Sequence, residues 1–536
     1  MSSIISQGLI SAALLSAPFL SPALFAVAWV AFVPLLRAIH ESENLRRAGF
    51  LGWLVGFLAN LFGFHWLVYT ISVFGGFPYF VSVILFILYA AMQGTQTALF
   101  ALLVKRFDYG PLFLFPVVFW VAIEFWFPFL FPWHLANSQS SLLSFLQTAD
   151  LVGAYGASFL VMWCNVILAR ALAGRKEVPT LRLEPRPWPG SLAQDSAPRA
   201  HWKVPRACPW GSTLPWVSAL ICSIGVIGSL AYGHFRLDRV AAEIKTAPRL
   251  SIAAVQGNIP VGMKWDPQQM KTNLAAHVRL TRDIAGAQLV IWPESAVEEW
   301  LPDNLPQFPK EFVDLLELKG AHFIFGARSF SGTFAGPNFK AFNTAFLTDS
   351  QGRVLGRYHK QVLLAFGEYL PFSSILSKLP AMPFADGFTA GDGPTTLDLP
   401  SGGKIAPLIC YEDLMPELPR EFIRRTKANL LVNITNDAWY GDSVALWQHA
   451  QLAQLRAIET RRTLLRVTNT GATTVIDATG ATVQSLPTFT GAVMNANVEL
   501  LEGETFYVRF GDWFAWAMSA ISLVVVVIYW RKDSSA

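Results

Sequence analysis

Three residues of this chain have the types that acyl transfer through a thiol requires, and each stands where an apolar run stops. Cys410 closes a run and is followed by aromatic and acidic residues, "LICYEDLMP" at 408–416. Glu294 ends "AQLVIWPES" at 287–295, and Lys360 ends "GRVLGRYHK" at 352–360. The thiol has to lose its proton, because the thiolate is the nucleophile. A base has to take that proton and return it to the leaving group. A cation or a set of N–H donors has to meet the oxyanion of the tetrahedral intermediate. Glu294 is suited to the second task and Lys360 to the third. Each residue taken singly has a quieter explanation: a free cysteine packs as a small hydrophobe, a glutamate after "WP" flanks a helix start, and a lysine sits on the surface.

The elements around them argue for one layered domain. "RLSIAAVQGNI" (249–259) reads as a strand, and 266–285 as a helix with Met270, Leu274, Val278 and Ile284 near one face. Further strands are expected at 287–295, 322–330, 342–350, 402–413, 428–439 and 463–480, with a helix at 446–462. Strands alternating with helices imply an α/β domain, in which functional side chains gather at strand ends.

The remainder of the chain has a different texture. Of 536 residues, 53% are hydrophobic and 15% charged, where soluble domains carry about a quarter charged. The excess is concentrated. Residues 8–36 hold no charge, 50–104 are clean apart from His65, and apolar runs follow at 111–131, 149–169, 216–233 and 513–530. Each run is long enough to cross a hydrocarbon core of ~30 Å. Breaking 8–36 at Ser21–Pro22 and 50–104 at Gly75–Pro78 makes eight spans. Residues 1–247 are therefore expected to form a membrane domain of about seven transmembrane helices. Residues 248–505 form the catalytic domain, and 506–536 a closing helix and tail. Arg37, Arg46, Arg47, Lys105, Arg106, the basic loop 170–206 and Arg531-Lys532 then share one side, which the positive-inside rule makes cytoplasmic. The catalytic domain is expected to face outward, into the periplasm of a bacterium. The net charge of +4 reflects these anchors and gives no reason to expect nucleic acid.

Cysteine placement supports a chemical role. Cys164 and Cys222 fall within spans and Cys208 in the basic loop, so Cys410 stands alone in a compartment that favours disulfides. No metal-type His/Cys spacing or Gly-rich phosphate loop is present, and no cofactor is expected.

"WPES" around Glu294, "YHKQVLLAFGEYLPF" around Lys360 and "LICYEDLMP" around Cys410 resemble the Glu-Lys-Cys blocks of the nitrilase superfamily, in the same order. With spans on both sides, the chain resembles the membrane-embedded branch of that superfamily, the apolipoprotein N-acyltransferases. "QGNIP" (256–260), "KWDP" (264–267) and "TNDAWYG" (435–441) fit too. The resemblance implies a multi-span α-helical membrane domain plus an α/β nitrilase-like αββα sandwich. It implies transfer of an sn-1 acyl chain from a phospholipid, typically phosphatidylethanolamine, through a cysteine thioester. The acceptor is the α-amino group of diacylglyceryl-cysteine on an apolipoprotein, at the bacterial inner membrane. By matching position, Glu294 becomes the general base, Lys360 the oxyanion lysine, Cys410 the nucleophile and Glu368 an orienting glutamate. Trp265, Tyr411 and Glu412 match positions the family needs for activity. An arginine expected shortly after Glu124 is missing. The rival reading is a membrane-tethered amidohydrolase that releases ammonia, which would use the same three groups.

The segment 361–388 is too apolar for a solvent-facing loop. Its Phe, Leu and Met residues, Leu376 and Phe384 among them, are expected to rest on the outer leaflet beside the thiol.

Overall fold

The computed structural model describes residues 2–107, 109–173, 214–333, 336–369 and 387–534. Cys208 and residues 370–386, with Leu376 and Phe384 of the segment expected to rest on the outer leaflet, lie outside the described residues.

Apolar helices make up the N-terminal half. Among the described residues five are long and apolar enough to cross a membrane, or six if the bent pair Leu45–Gly63 and Leu67–Val73 counts as one span. Ile4–Leu20 and Pro111–Trp126 are shorter apolar helices. The first helix, Ser2–Leu20, ends two residues before Pro22, and the next helical stretch starts there. A break at residues 64–66, absent from the hydropathy pattern, bends the third helical stretch by 63°. Helix Leu45–Gly63 meets Tyr79–Arg106 through small residues. A Cβ on Gly52 would lie 2.4 Å from the Thr97 carbonyl oxygen, and one on Gly56 only 1.9 Å from Thr97 Oγ1. Backbones can come this close only without side chains between them, the usual device for packing helices in lipid.

Residues 216–233 were expected as one span, but the helix runs on from Leu214 to Thr246 and hands the chain to the first strand at Arg249. Thirteen strands follow among the described residues: β1 (Arg249–Gln256), β2 (Leu289–Ile291), β3 (Val297–Pro302), β4 (His322–Ser331), β5 (Lys340–Thr348) and β6 (Val354–His359). Then come β7 (Leu397–Asp398), β8 (Lys404–Ile409), β9 (Leu430–Thr435), β10 (Leu464–Thr468), β11 (Thr474–Ile476), β12 (Thr482–Ser485) and β13 (Ala492–Glu499). One sheet has the order β13-β1-β2-β4-β5-β6, with β3 also paired to β4. The other runs β12-β11-β10-β9-β8-β7.

Alternation along the strands builds the layers. Leu250, Ile252 and Ala254 of β1, with Leu289 and Ile291 of β2, enter the core between the sheets. Ala253, Val255 and Val290 face the other way and pack with Val278 and Leu316 of the outer helices. A one-residue slip would exchange these faces, so burial on both sides pins the register. Against the second sheet lie helices Glu417–Thr426 and Ala445–Thr460, which complete an αββα sandwich.

Helix Ala445–Thr460 belongs to both halves of the molecule. Its Ala453 and Ala457 pack on the second sheet, Leu455 and Ile458 join the main core of the membrane half, and Leu446 and Leu452 join an aromatic cluster beside Cys410. Polar contacts reinforce the joint. Arg461 donates from Nη2 to Asp150 Oδ2 at 2.8 Å and from Nη1 to Gln147 Oε1 at 2.6 Å, and Arg236 and Tyr232 close on the same carboxylate.

Candidate active site

Cys410 follows β8 directly and has φ +53°, a left-handed conformation that costs a non-glycine residue of the order of 1 kcal/mol or more. The turn Cys410–Leu414 begins there, and Asn433 of β9 braces it by donating to the Cys410 carbonyl at 2.9 Å. The thiol is half-buried while its peptide is held from behind. Glu294 stands at the end of β2, and the next residue, Ser295, also takes a positive φ of 52°. Lys360 follows β6 and is 2% exposed. Three strand ends therefore deliver the three groups that the sequence singled out to one buried place.

Their protonation follows from that burial. Desolvation first, and the Glu294 carboxylate second, hold the Cys410 thiol well above its ordinary value, while Lys360 and the Thr435 hydroxyl favour the thiolate. Burial also raises Glu294, opposed by Lys360 and by the hydrogen bond from Asn343. Burial works to lower Lys360, but Glu368, Cys410 and Glu294 outweigh it, so the ammonium stays charged. The thiol is neutral at rest, and a poorly solvated carboxyl group stands beside it.

Glu368 pairs with Lys360 at 2.7 Å and accepts from the Leu364 N–H at 2.9 Å, which fixes the ammonium's direction. Asn343, which the sequence reading passed over, joins the acids. Its Nδ2 donates to Glu294 Oε1 at 2.7 Å and to Glu368 Oε1 at 2.9 Å. An amide donating to two carboxylates keeps them apart and aimed. The Asn436 N–H of "TNDAWYG" donates to Glu294 Oε2 at 3.1 Å.

Glu412 and Tyr411 do different work from the three. Glu412 is fully buried and accepts from the backbone N–H groups of Ile409, Gln361 and Val362 and from the Tyr358 hydroxyl. It ties the Cys410 turn to the segment after Lys360. Burial, opposed by Lys360 and those N–H donors, lifts its carboxyl to about 7. The Tyr411 hydroxyl donates to the Leu130 carbonyl of the membrane half, and its ring lies 6.2 Å from Phe131. Trp265 lies farther round, half-buried under the Arg328 guanidinium at 4.2 Å, with its backbone N–H donating to Glu298 Oε2. Its neighbour Lys264 is buried, lowered by desolvation to about 8, and donates to the Ser295 carbonyl at 2.9 Å.

The wall facing Cys410 is apolar and comes from the membrane half. Phe64, Trp66, Leu67, Phe131 and Trp133 share a cluster with Tyr411, Tyr440 and the Cys410 side chain. The bend at 64–66 aims this wall, and Trp66 Nε1 donates to Gln448 Oε1 at 2.9 Å. Glu124, without its expected arginine, sits deep in the same half and accepts from the Leu135 N–H at 2.6 Å. Among the described residues no group of three or more His, Cys, Asp and Glu side chains could hold a metal ion.

Gly326 of β4 provides a test of this geometry without touching a reacting group. A Cβ there would lie 2.6 Å from Glu294 Cα and 2.6 Å from the Ser295 nitrogen. Gly326→Ala is expected to displace Glu294 and slow thiol acylation about 10²-fold, with Lys360 and Cys410 untouched. Unchanged single-turnover kinetics would mean that the position of Glu294 is not critical.

Comparison with known proteins gives the same two halves. Residues 251–504 match the family model described as carbon-nitrogen hydrolase, and residues 11–167 match that of the apolipoprotein N-acyltransferase N-terminal domain. The chain is 34% identical to an apolipoprotein N-acyltransferase of Geobacter metallireducens, over 98% of this chain and 95% of that one. It is 28% identical to one of Haemophilus influenzae, over 92% and 90%. Among solved structures it is similar to an amidase of the nitrilase superfamily from Nesterenkonia AN1, at 21% identity and a TM-score of 0.33, over 49% of this chain and 95% of that one.

Proposed function

The chain belongs to the apolipoprotein N-acyltransferase family, and on that premise we propose that Cys410 carries an acyl chain from a membrane phospholipid to the N-terminal amine of a lipid-modified apolipoprotein. The observation that carries this reading is the meeting of Glu294, Lys360 and Cys410 beside an apolar wall supplied by membrane helices. A small-amide hydrolase would have no use for such a wall, whereas a phospholipid can present its ester there with its chains still out of water. Each CH₂ kept from water is worth about 0.8 kcal/mol.

Glu294 takes the thiol proton as Sγ attacks the sn-1 carbonyl. The oxyanion forms against the Lys360 ammonium. The ester C–O bond breaks, the lysophospholipid leaves with the proton from Glu294, and a thioester remains on Cys410. The incoming α-amino group, with an ordinary pKa of about 7.7–8.0, is partly neutral at physiological pH. It attacks the thioester, Glu294 takes its proton, the C–S bond breaks, and the thiolate regains a proton. Two half-reactions on one thiol give ping-pong kinetics. The donor is expected to be phosphatidylethanolamine, and the catalytic domain to face the periplasm.

The test is intact-protein mass spectrometry of the full chain in detergent after exposure to phospholipid alone. One acyl chain should be added at Cys410, removable by hydroxylamine and transferred when a diacylated lipopeptide is supplied. Ammonia release from small amides without an acyl-enzyme would establish the amidohydrolase instead.

A further inference from the structure

One ionisable side chain of the membrane half takes no part in the acyl-transfer steps. Glu124 lies near the end of helix Phe115–Trp126 and is 2% exposed. Ionisable groups buried among membrane helices are costly and mark function. Glu124 Oε1 accepts from the Leu135 backbone N–H at 2.6 Å, while Oε2 stands 3.9 Å from His134 Nδ1, beyond hydrogen-bond range. Leu135 opens the turn Leu135–Gln139, and the N–H groups that start such a turn have no partner inside it. The bond therefore joins the end of one element to the start of the next and closes a loop over residues 127–134.

That loop contains neither helix nor strand, and Pro128 and Pro132 within it have no backbone donor to give. Its base is fixed by Glu124 and, one residue further on, by Ser158, whose Oγ accepts from the Ala136 N–H at 3.0 Å. Its tip reaches the turn that carries the nucleophile. Leu130 offers its carbonyl to the Tyr411 hydroxyl, and the Phe131 ring stands 5.3 Å from Trp66 and 6.2 Å from Tyr411. Trp133 stacks on Phe19 at 3.9 Å. Phe131 and Trp133 both belong to the apolar cluster against which the Cys410 side chain packs. We propose that Glu124 is a positioning residue, which sets the apolar wall that brings a long acyl chain to Cys410 by holding the base of loop 127–134. The hydrogen bond does this rather than the charge, because the group it meets is a neutral N–H. Without it the loop keeps its residues but loses the anchor that fixes Phe131 and Trp133 opposite the thiol.

The inference deepens the proposed acyl transfer and rests on Cys410 meeting a lipid chain, but one arm of its test needs no acyl transfer. In the full-length protein in detergent, peptide mass mapping follows modification of Cys410 by N-ethylmaleimide and by N-dodecylmaleimide. The short reagent reads the thiol, and the long one also reads the wall. Glu124→Asp keeps the charge but is one CH₂ too short to reach Leu135. Glu124→Gln keeps the reach and an acceptor oxygen without the charge. Glu124→Asp is expected to lower the dodecyl-to-ethyl rate ratio about tenfold, the loss of one buried hydrogen bond, with the N-ethylmaleimide rate within about twofold of the parent's. Glu124→Gln should keep the ratio within about threefold. Leu135→Pro removes the donor instead, at the first position of a turn and after an extended His134, where proline fits. It should reproduce the loss and add little to Glu124→Asp, since both break one contact. Single-turnover thioester formation from phospholipid should follow the same order. A parent-like ratio or parent-like thioester formation in Glu124→Asp, an equal loss in Glu124→Gln, or an equal fall with both reagents would each overturn the proposal. If Glu124→Asp does not fold, Leu135→Pro against Glu124→Gln decides. Expected ratios in a protein that forms no thioester from phospholipid would refute the proposed function and leave the role of Glu124 standing.

Discussion

Cys410→Ser is expected to abolish acyl transfer while the protein stays folded. The side chain loses little volume, and the turn that holds it is braced through backbone contacts from Asn433 and Glu412 that do not involve sulfur. The chemistry fails for another reason. Burial and Glu294 already hold the thiol above its ordinary value, and a hydroxyl is a far weaker acid in the same place. A carboxylate, even one raised by burial, cannot deprotonate it usefully. Loss of a nucleophile that works as a unit with its base costs on the order of 10⁴-fold or more. Neither the thioester adduct nor lysophospholipid should be detected, and the thermal midpoint should stay close to the parent's. Transfer retained at about a tenth of the parent rate, a loss of only 1.4 kcal/mol in the barrier, would remove Cys410 from its role.

Lys360→Met is expected to be the next most damaging change. It keeps the length and apolar stem of the lysine but removes the only ammonium paired with Glu368 among the described residues. Losing one oxyanion contact costs about 10²–10³ in rate. Stability should fall as well, because breaking a buried pair leaves an uncompensated charge, typically at about 3–5 kcal/mol. Thermal melts of the variant record this second loss separately from the kinetic one. Lys360→Arg would keep Glu368 paired and so spare the fold, while its planar fork misplaces the donor and still slows acylation. A Met variant that acylates normally would leave the oxyanion without the partner assigned to it.

Much of the site was legible because its parts sit at the ends of strands. An apolar run of β-branched and aliphatic residues announces a buried strand, and the first polar residue after it is exposed to the same edge as its neighbours. That reasoning selected Glu294, Lys360 and Cys410 from one-dimensional pattern, and the resemblance added Glu368. It passed over Asn343, because an asparagine inside an apolar strand reads as a tolerated polar residue until two carboxylates are seen on its amide. The only available signal was "FNT" itself, a buried amide in a strand with no local partner. Glu412 carried a signal of the opposite kind. Its motif match marked it as needed for activity without saying how, and its oxygens are taken by three backbone N–H groups and a tyrosine, so it acts as a brace.

By itself the sequence determined the division into apolar helices and an α/β sandwich and the strand faces, and it singled out the residues proposed to react. These follow from hydropathy, period and residue type, all of which are local. Tertiary structure decided everything that depends on distance. Glu294 meets the Asn436 N–H across 142 residues, and Arg461 meets Asp150 across 311. Helix Ala445–Thr460 looks like an ordinary outer layer in the sequence, yet the membrane half buries its far side. The bend at 64–66 lies within a continuous apolar run, where hydropathy gives no mark of a turn. The buried cluster of Asp413, Asp437, His449 and Arg466 draws its members from two turns, a helix and a strand. A buried ion cluster has no sequence period, because the field that makes it stable exists only once four separate elements have closed around it.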